Sequence, residues 1–329
     1  MVIRLSSLGD IILSFPLLKK LKEKFPEAEI HFLTKTNYEE IISLNPNIDK
    51  KIYLTAGLSG LRKQIKGGDY DLILDIHKNL RSVFVSYSNS AKIRRYKKEN
   101  FKKLLLVKFK LNLFKQIIPV YKKYLLTLAE YLEEKDYNFS VTNLHFDRNK
   151  NISEKYIVIS PSSRHFTKTY PKEKFVDYIN KLNEVDTNGS NELSSPAEEK
   201  EPHKVRIVLI GDASEKDRSI CDYIEKNCNN ILNLCGKLNI KELLNVLYNC
   251  EYVICNDSAI LHLSEAVGKK VIALFGSTVK EFGFFPQLSD SKVFENNNLN
   301  CRPCTHIGRE SCPLGHFRCM NETQLTVSS

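Results

Sequence analysis

Short, continuously apolar runs alternate along this chain with stretches whose apolar residues return every three or four positions. In the first half the runs are VIRLS (2–6), EIHFL (29–33) and DLILDIH (71–77). After the first run comes a loop, Ser7-Leu8-Gly9-Asp10, and then a helix with Ile11, Phe15, Leu18, Leu21 and Phe25 on one stripe, stopped by Pro26. Another helix is predicted near 37–44, helical spacing recurs over 101–134, and Asn138 to Lys155 reads as a connection. The second half keeps the same rhythm more cleanly. Strands YIVIS (156–160), VRIVLI (205–210), ILNL (231–234), YVIC (252–255) and VIALF (271–275) alternate with helices over 172–183, 214–228, 240–249 and 258–267. Strands without polar alternation are covered on both faces, which indicates parallel sheets. The expected fold is therefore α/β, with two Rossmann-like domains, 1–150 and 151–329, facing a central cleft. The polar, aperiodic stretch 186–204 reads as a surface insertion.

A length of 329 residues suits two domains, and an apolar fraction of 42% is ample for their cores. No apolar run approaches the roughly 18 residues of a membrane span. The opening MVIRLSSLGDIILSFPLL looks superficially like a signal peptide, but Asp10 interrupts it and no small-residue cleavage site follows, so a cytosolic protein is expected. Net charge is +10 and uneven: residues 92–123 carry twelve Lys or Arg and one acid, Glu99. Such a block suits an anionic partner, whether nucleic acid, a membrane surface or a phosphorylated substrate; the bland alternative is a solvated lysine-rich face.

In an open parallel sheet, ligands bind beyond the carboxyl ends of the strands. The unusual polar residues collect there. Gly9 and Asp10 follow the first strand; His77, Lys78, Asn79 and Arg81 follow DLILD. Ser162, Ser163 and Lys168 follow YIVIS, and Gly211, Asp212 and Glu215 follow VRIVLI. Asp257, Ser258, Ala259 and His262 follow YVIC, and Gly276, Ser277 and Thr278 follow VIALF. Each has a structural explanation by itself, such as a helix cap, a core histidine or a turn. So many at one sheet edge argue for a site. The helix opening at Ser258-Ala259 offers free N–H groups and a partial positive charge to a phosphate, Lys168 adds full charge, and Glu215 suits ribose hydroxyls. Neither GxGxxG nor GxxxxGK[ST] is present.

The segment NDSAILHLSEAVGKKVIALFGST (256–278) resembles the signature of glycosyltransferase family 9, the ADP-heptose:lipopolysaccharide heptosyltransferases. IRLSSLGD resembles the family's R-x-x-x-L-G-D block, DLILDIHKNLRS its third-strand segment and SSRHFTKTYPKEKF its donor-phosphate loop, with Tyr170-Pro171 for the usual Trp-Pro. IGDASEKDR resembles its ribose loop, and Ala259 replaces a usual Gly. The resemblance implies a GT-B fold and inverting, metal-independent transfer of heptose from ADP-heptose to an anionic lipid A–core acceptor. By position it implies Asp10 as base and Lys168, Glu215, Asp257, Ser258 and His262 as donor-binding residues. Strand-end placement adds Gly9, His77, Lys78, Asn79 and Arg81 as acceptor-side candidates, and Ser162, Ser163, Ala259 and Gly276 as donor-side candidates. It further implies no required cofactor, no nucleic-acid partner, and a cytoplasmic enzyme peripheral to the inner membrane.

Cys301, Cys304, Cys312 and Cys319, spaced C-x2-C-x7-C-x6-C, are compatible with a structural zinc or with reduced thiols packing a loop. Two further readings stay open: a related glycosyltransferase with another nucleotide-sugar donor, and a nucleic-acid-binding protein with a zinc-ribbon-like tail. The second leaves the strand-end residues without a task, and its basic block lacks regularly spaced stacking aromatics.

Overall fold

The computed structural model describes residues 1–54, 57–87, 90–149, 152, 154–189 and 206–326. Most of the 186–204 stretch lies outside the described residues. The chain divides into two compact units. One comprises Met1–Leu104, Leu113–Phe146 and Lys280–Phe284; the other comprises Leu105–Asn112, Asp147–Val279 and Phe285–Ser329. No helix among the described residues is long and apolar enough to cross a membrane.

In the first unit β1 (Val2–Ile3), β2 (His31–Thr34), β3 (Lys50–Tyr53), β4 (Leu72–Asp75) and β5 (Lys92–Arg95) form a sheet of order β3-β2-β1-β4-β5. All its pairings are parallel. Ile3, Leu33, Ile52 and Ile73 from its strands pack with Leu61 and Ile65 of helix Leu58–Lys66. In the second unit β6 (Tyr156–Ser160), β7 (Arg206–Leu209), β8 (Ile231–Asn233), β9 (Val253–Asn256), β10 (Val271–Phe275) and β11 (Lys292–Glu295) follow the order β11-β10-β9-β6-β7-β8. These pairings are parallel too. Its core joins Ile157, Ile159, Ile207, Ile254 and Leu274 to Phe175 and Ile179 of the following helix and to Phe317 and Met320 of the tail. Strand order reverses between β1 and β4 in one unit and between β6 and β9 in the other. Such a switch point opens a crevice at the strands' carboxyl ends.

Three strands escape the apolar pattern: β3 (KKIY), β5 (KIRR) and β11 (KVFE). All three lie at sheet edges. An edge strand is half solvated, and charge there discourages pairing with another chain. The first turn differs from expectation as well. The chain enters a helix at Leu8 and runs to Ile12, so Gly9 and Asp10 lie within a first helical turn, not in a loop.

Candidate active site

In the first unit the site is built around Asp10. Its carboxylate closes a capping box: Oδ2 accepts from the Ser7 hydroxyl at 2.7 Å and the Ser7 amide at 3.3 Å. Capping does not exhaust it. The Arg4 guanidinium lies 2.7 Å from Oδ2, and the fully buried Tyr124 donates its hydroxyl to Oδ1 at 3.1 Å. Arg4 is itself fixed, donating from Nη1 to the Ile76 carbonyl just beyond β4 at 2.7 Å. Burial raises the Asp10 pKa, but Arg4, Ser7 and Tyr124 outweigh it and hold the carboxyl below its ordinary value. Asp10 is thus a carboxylate at neutral pH, with 16% of its side chain exposed.

His77 follows β4, and its Nδ1 is buried without a hydrogen-bonding partner among the described residues. Burial, then the nearby charges of Arg4 and Lys98, lower its pKa to about 4, against an opposing pull from Asp10. The imidazole is therefore neutral at pH 7. Two lysines of the basic block also feel the Asp10 charge. Burial lowers the pKa of Lys98, and burial followed by Lys123 lowers that of Lys103 to about 8. Lys102 and Lys123 instead pair with Glu99 at 2.8 and 2.6 Å. The other residues after β4 serve the loop or solvent. Asp75, fully buried, accepts from the His77 and Lys78 amides; Asn79 caps helix Leu80–Ser86 through the Ser82 amide; Lys78 and Arg81 are exposed.

In the second unit Lys168, Asp257 and Thr278 meet. Lys168 Nζ lies 2.6 Å from Asp257 Oδ2, which also accepts from Thr278 Oγ1 at 2.6 Å. The Asn256 amide locks the loops that carry them, accepting from the Tyr170 amide and donating to the Pro161 carbonyl, each at 2.9 Å. Around this centre Ser162, Ser258 and Ser277 hold buried hydroxyl oxygens with no hydrogen-bonding partner among the described residues. Each lies two residues beyond the last residue of its strand, β6, β9 and β10, which are neighbours in the sheet. Ser258 occupies the N-cap position of helix Ala259–Ala266, yet its side chain makes no capping bond. Buried hydroxyls are ordinarily satisfied, so three orphans beside a lysine and a helix N-terminus suit an anion with several acceptor oxygens.

The remaining positions spread around that centre. Ser163 is buried, and His262 is buried within the helix that Ser258 opens. Gly276 admits no side chain: a Cβ would stand 2.7 Å from Met320 Cε and 2.8 Å from the Thr167 carbonyl oxygen. Glu215 begins helix Glu215–Asn227 on an exposed face, one position from Lys216, whose Nζ donates to the Ser163 carbonyl at 2.6 Å. Sequence reasoning missed Lys216, Asn256, Ser7 and Tyr124. Ser7 and Asn256 lay within quoted segments but were given no role, and nothing in sequence links Tyr124 to Asp10. The four tail cysteines are free thiols. Burial is the largest cause of the raised pKa values of Cys304 and Cys319; Cys304 also feels Cys301 and Cys312, and Cys319 feels Cys301, Cys304 and Cys312. Among the described residues no three or more His, Cys, Asp or Glu side chains are placed to hold a metal ion.

Residues 59–314 match the model of glycosyltransferase family 9 (heptosyltransferase). A lipooligosaccharide heptosyltransferase 2 of Campylobacter jejuni is 32% identical over 120 residues, 35% of this chain and 36% of that protein. The chain thus spans about a third of that relative's length. A lipooligosaccharide heptosyltransferase 2 of Haemophilus influenzae is 25% identical over 316 residues, 88% of this chain and 86% of that one. The structure of Escherichia coli ADP-heptose LPS heptosyltransferase II superposes with a TM-score of 0.67 at 17% identity, covering 98% of this chain and 97% of the other. The fold is GT-B, and the chain belongs to glycosyltransferase family 9, the heptosyltransferases.

Proposed function

We propose that this chain transfers heptose from ADP-heptose to the lipopolysaccharide inner core by a single inverting displacement without a catalytic metal. The second unit takes the donor and the first the acceptor. The observation that carries the reading is the trio of unpartnered buried hydroxyls, Ser162, Ser258 and Ser277, around the Lys168–Asp257 pair. A nucleoside diphosphate presents the many acceptor oxygens those groups lack. The named relatives, one of them an ADP-heptose enzyme, narrow the nucleotide and sugar.

In the reaction an acceptor hydroxyl oxygen attacks the anomeric carbon as the bond from that carbon to the diphosphate oxygen breaks. The hydroxyl proton passes to Asp10, and ADP departs with the bonding electron pair. One displacement from the opposite face inverts the centre. Lys168, the helix N-terminus at Ala259 and the serine hydroxyls oppose charge growing on the leaving diphosphate, a task that preorganised donors perform well. Lys98 and Lys103, which feel the Asp10 charge and form no ion pair with a carboxylate among the described residues, suit an acceptor bearing carboxylate or phosphate groups. The block 92–123 together with exposed Phe101 and Phe109 supports peripheral attachment at the cytoplasmic face of the inner membrane.

The test is a donor screen with purified protein and a deacylated lipid A–Kdo acceptor, run in excess EDTA. Transfer from ADP-heptose, with UDP- and GDP-sugars inert and the new linkage inverted, is the expected result. Transfer only from another nucleotide sugar would give the donor site to a different substrate. Loss of activity restored specifically by Mg²⁺ or Mn²⁺ would overturn the metal-free mechanism.

A further inference from the structure

The cysteine-bearing tail is left without a task by the reaction as described, yet it grips both sides of the Lys168–Asp257–Thr278 centre. On one side is Arg302, whose side chain is 4% exposed. Its Nε donates to the Gly276 carbonyl at 2.6 Å, and its Nη2 donates to the Thr278 carbonyl at 2.9 Å. Nη2 also pairs with Glu295 at 2.6 Å, and Nη1 donates to the Asn296 carbonyl at 2.6 Å. One planar guanidinium therefore ties the loop after β10 to the loop after β11. On the other side is Thr167, the residue before Lys168. Its amide donates to the Arg309 carbonyl at 3.1 Å, and its Oγ1 accepts from the Arg309 amide at 2.9 Å. The two grips meet in the middle, where the Ser277 amide donates to the Thr167 carbonyl at 3.3 Å. Met320 fills the space that Gly276 leaves open.

We propose that the tail is a clamp that sets the spacing of the diphosphate-binding groups, with Arg302 and Thr167 as its positioning residues. Lys168 and Thr278 share one oxygen of Asp257, so a shift of either loop misplaces both donors. Arginine is suited to this role because its five N–H groups lie in a fixed fork, whereas lysine offers one mobile point charge. The proposal rests on the donor reading above, so its test includes a readout that does not depend on donor identity.

Arg302→Lys keeps the charge beside Glu295 but cannot span the carbonyls. Thr167→Val keeps shape and removes the hydroxyl, and Thr167→Ser restores it. In the unliganded protein, amide hydrogen exchange over 165–170 and 275–279 should quicken at least about tenfold in Arg302→Lys and Thr167→Val. The KM for donor and the Kd for ADP should rise about tenfold, with the KM for acceptor unchanged, and Thr167→Ser should stay within about threefold of wild type. If Arg302→Lys does not fold, the two Thr167 variants decide. Unchanged exchange in both loops of a folded Thr167→Val protein would overturn the clamp, as would an equal rise in acceptor and donor KM. If wild type neither binds ADP nor uses ADP-heptose, the donor reading fails, and the exchange data still judge the clamp.

Discussion

The two units place polar groups at the same point of the fold, the carboxyl ends of strands beside a switch point, and treat them in opposite ways. In the first unit the key carboxylate is fully engaged: Asp10 takes hydrogen bonds from Ser7 and Tyr124 and faces Arg4. In the second unit three buried hydroxyls have no partner among the described residues. A group that must receive a proton in one orientation gains from being held. Groups that must bind a ligand gain from being unpaired, because a protein partner would compete with the ligand for each hydrogen bond. Under the proposed function, the first site serves the chemistry and the second serves binding.

The contrast predicts different kinetic failures in the two units. Asp10→Asn keeps the capping geometry but cannot take the proton. Turnover should fall by about 10²–10⁴ while ADP affinity stays at the wild-type value. The same change leaves Arg4 without its counter-charge, so it should also lower stability by up to about 3 kcal/mol, and assays belong well below the melting temperature. Near-wild-type kcat would remove Asp10 from the mechanism. Lys168→Ala should fail differently, weakening ADP binding and donor use by roughly 10- to 150-fold through a lost charge-assisted contact. Wild-type ADP affinity in that variant would make the Lys168–Asp257 pair merely structural.

Smaller effects sharpen the first unit. Neutralising Lys98 and Lys103 together should raise the KM for acceptor several-fold and flatten its salt dependence, leaving donor KM alone. Neutralising Lys97 and Lys102 should do much less, since Lys102 is committed to Glu99 at 2.8 Å. Equal effects from both pairs would return the block to a diffuse charged surface. His77 predicts a pH effect on stability. Its folded pKa, about 4, lies below the unfolded value near 6.5, so the unfolded chain binds the proton first. Stability should therefore fall as pH drops from 6.5 towards 4, by about 1 kcal/mol at pH 5.5. Urea midpoints of wild type and His77→Gln should converge as pH falls through that window. A constant gap between them would mean that the imidazole titrates normally.

The central strands were legible because burial on both faces leaves only apolar residues, as in YIVIS and VIALF. The edge strands KKIY, KIRR and KVFE were not, because their half-solvated position selects charge over apolarity. Helix Leu58–Lys66 was not assigned from the sequence although Leu58, Leu61 and Ile65 share a stripe. At the candidate sites, strand-end position singled out Asp10, His77, Lys168, Asp257 and Ser258 as candidates from the sequence alone. Positions fixed by tertiary contact stayed hidden. Tyr124 reaches Asp10 across 114 residues of chain, and Arg302 reaches Gly276 from the tail.

The division of labour is tested most directly by amide hydrogen exchange of the wild-type protein with and without saturating ADP. Protection should appear after β6, β9 and β10, over about 160–170, 256–262 and 275–278, with no change over 5–12 or 76–82. ADP protection centred on the Asp10 and His77 loops, or none after β6, β9 and β10, would contradict the assignment of donor binding to the second unit.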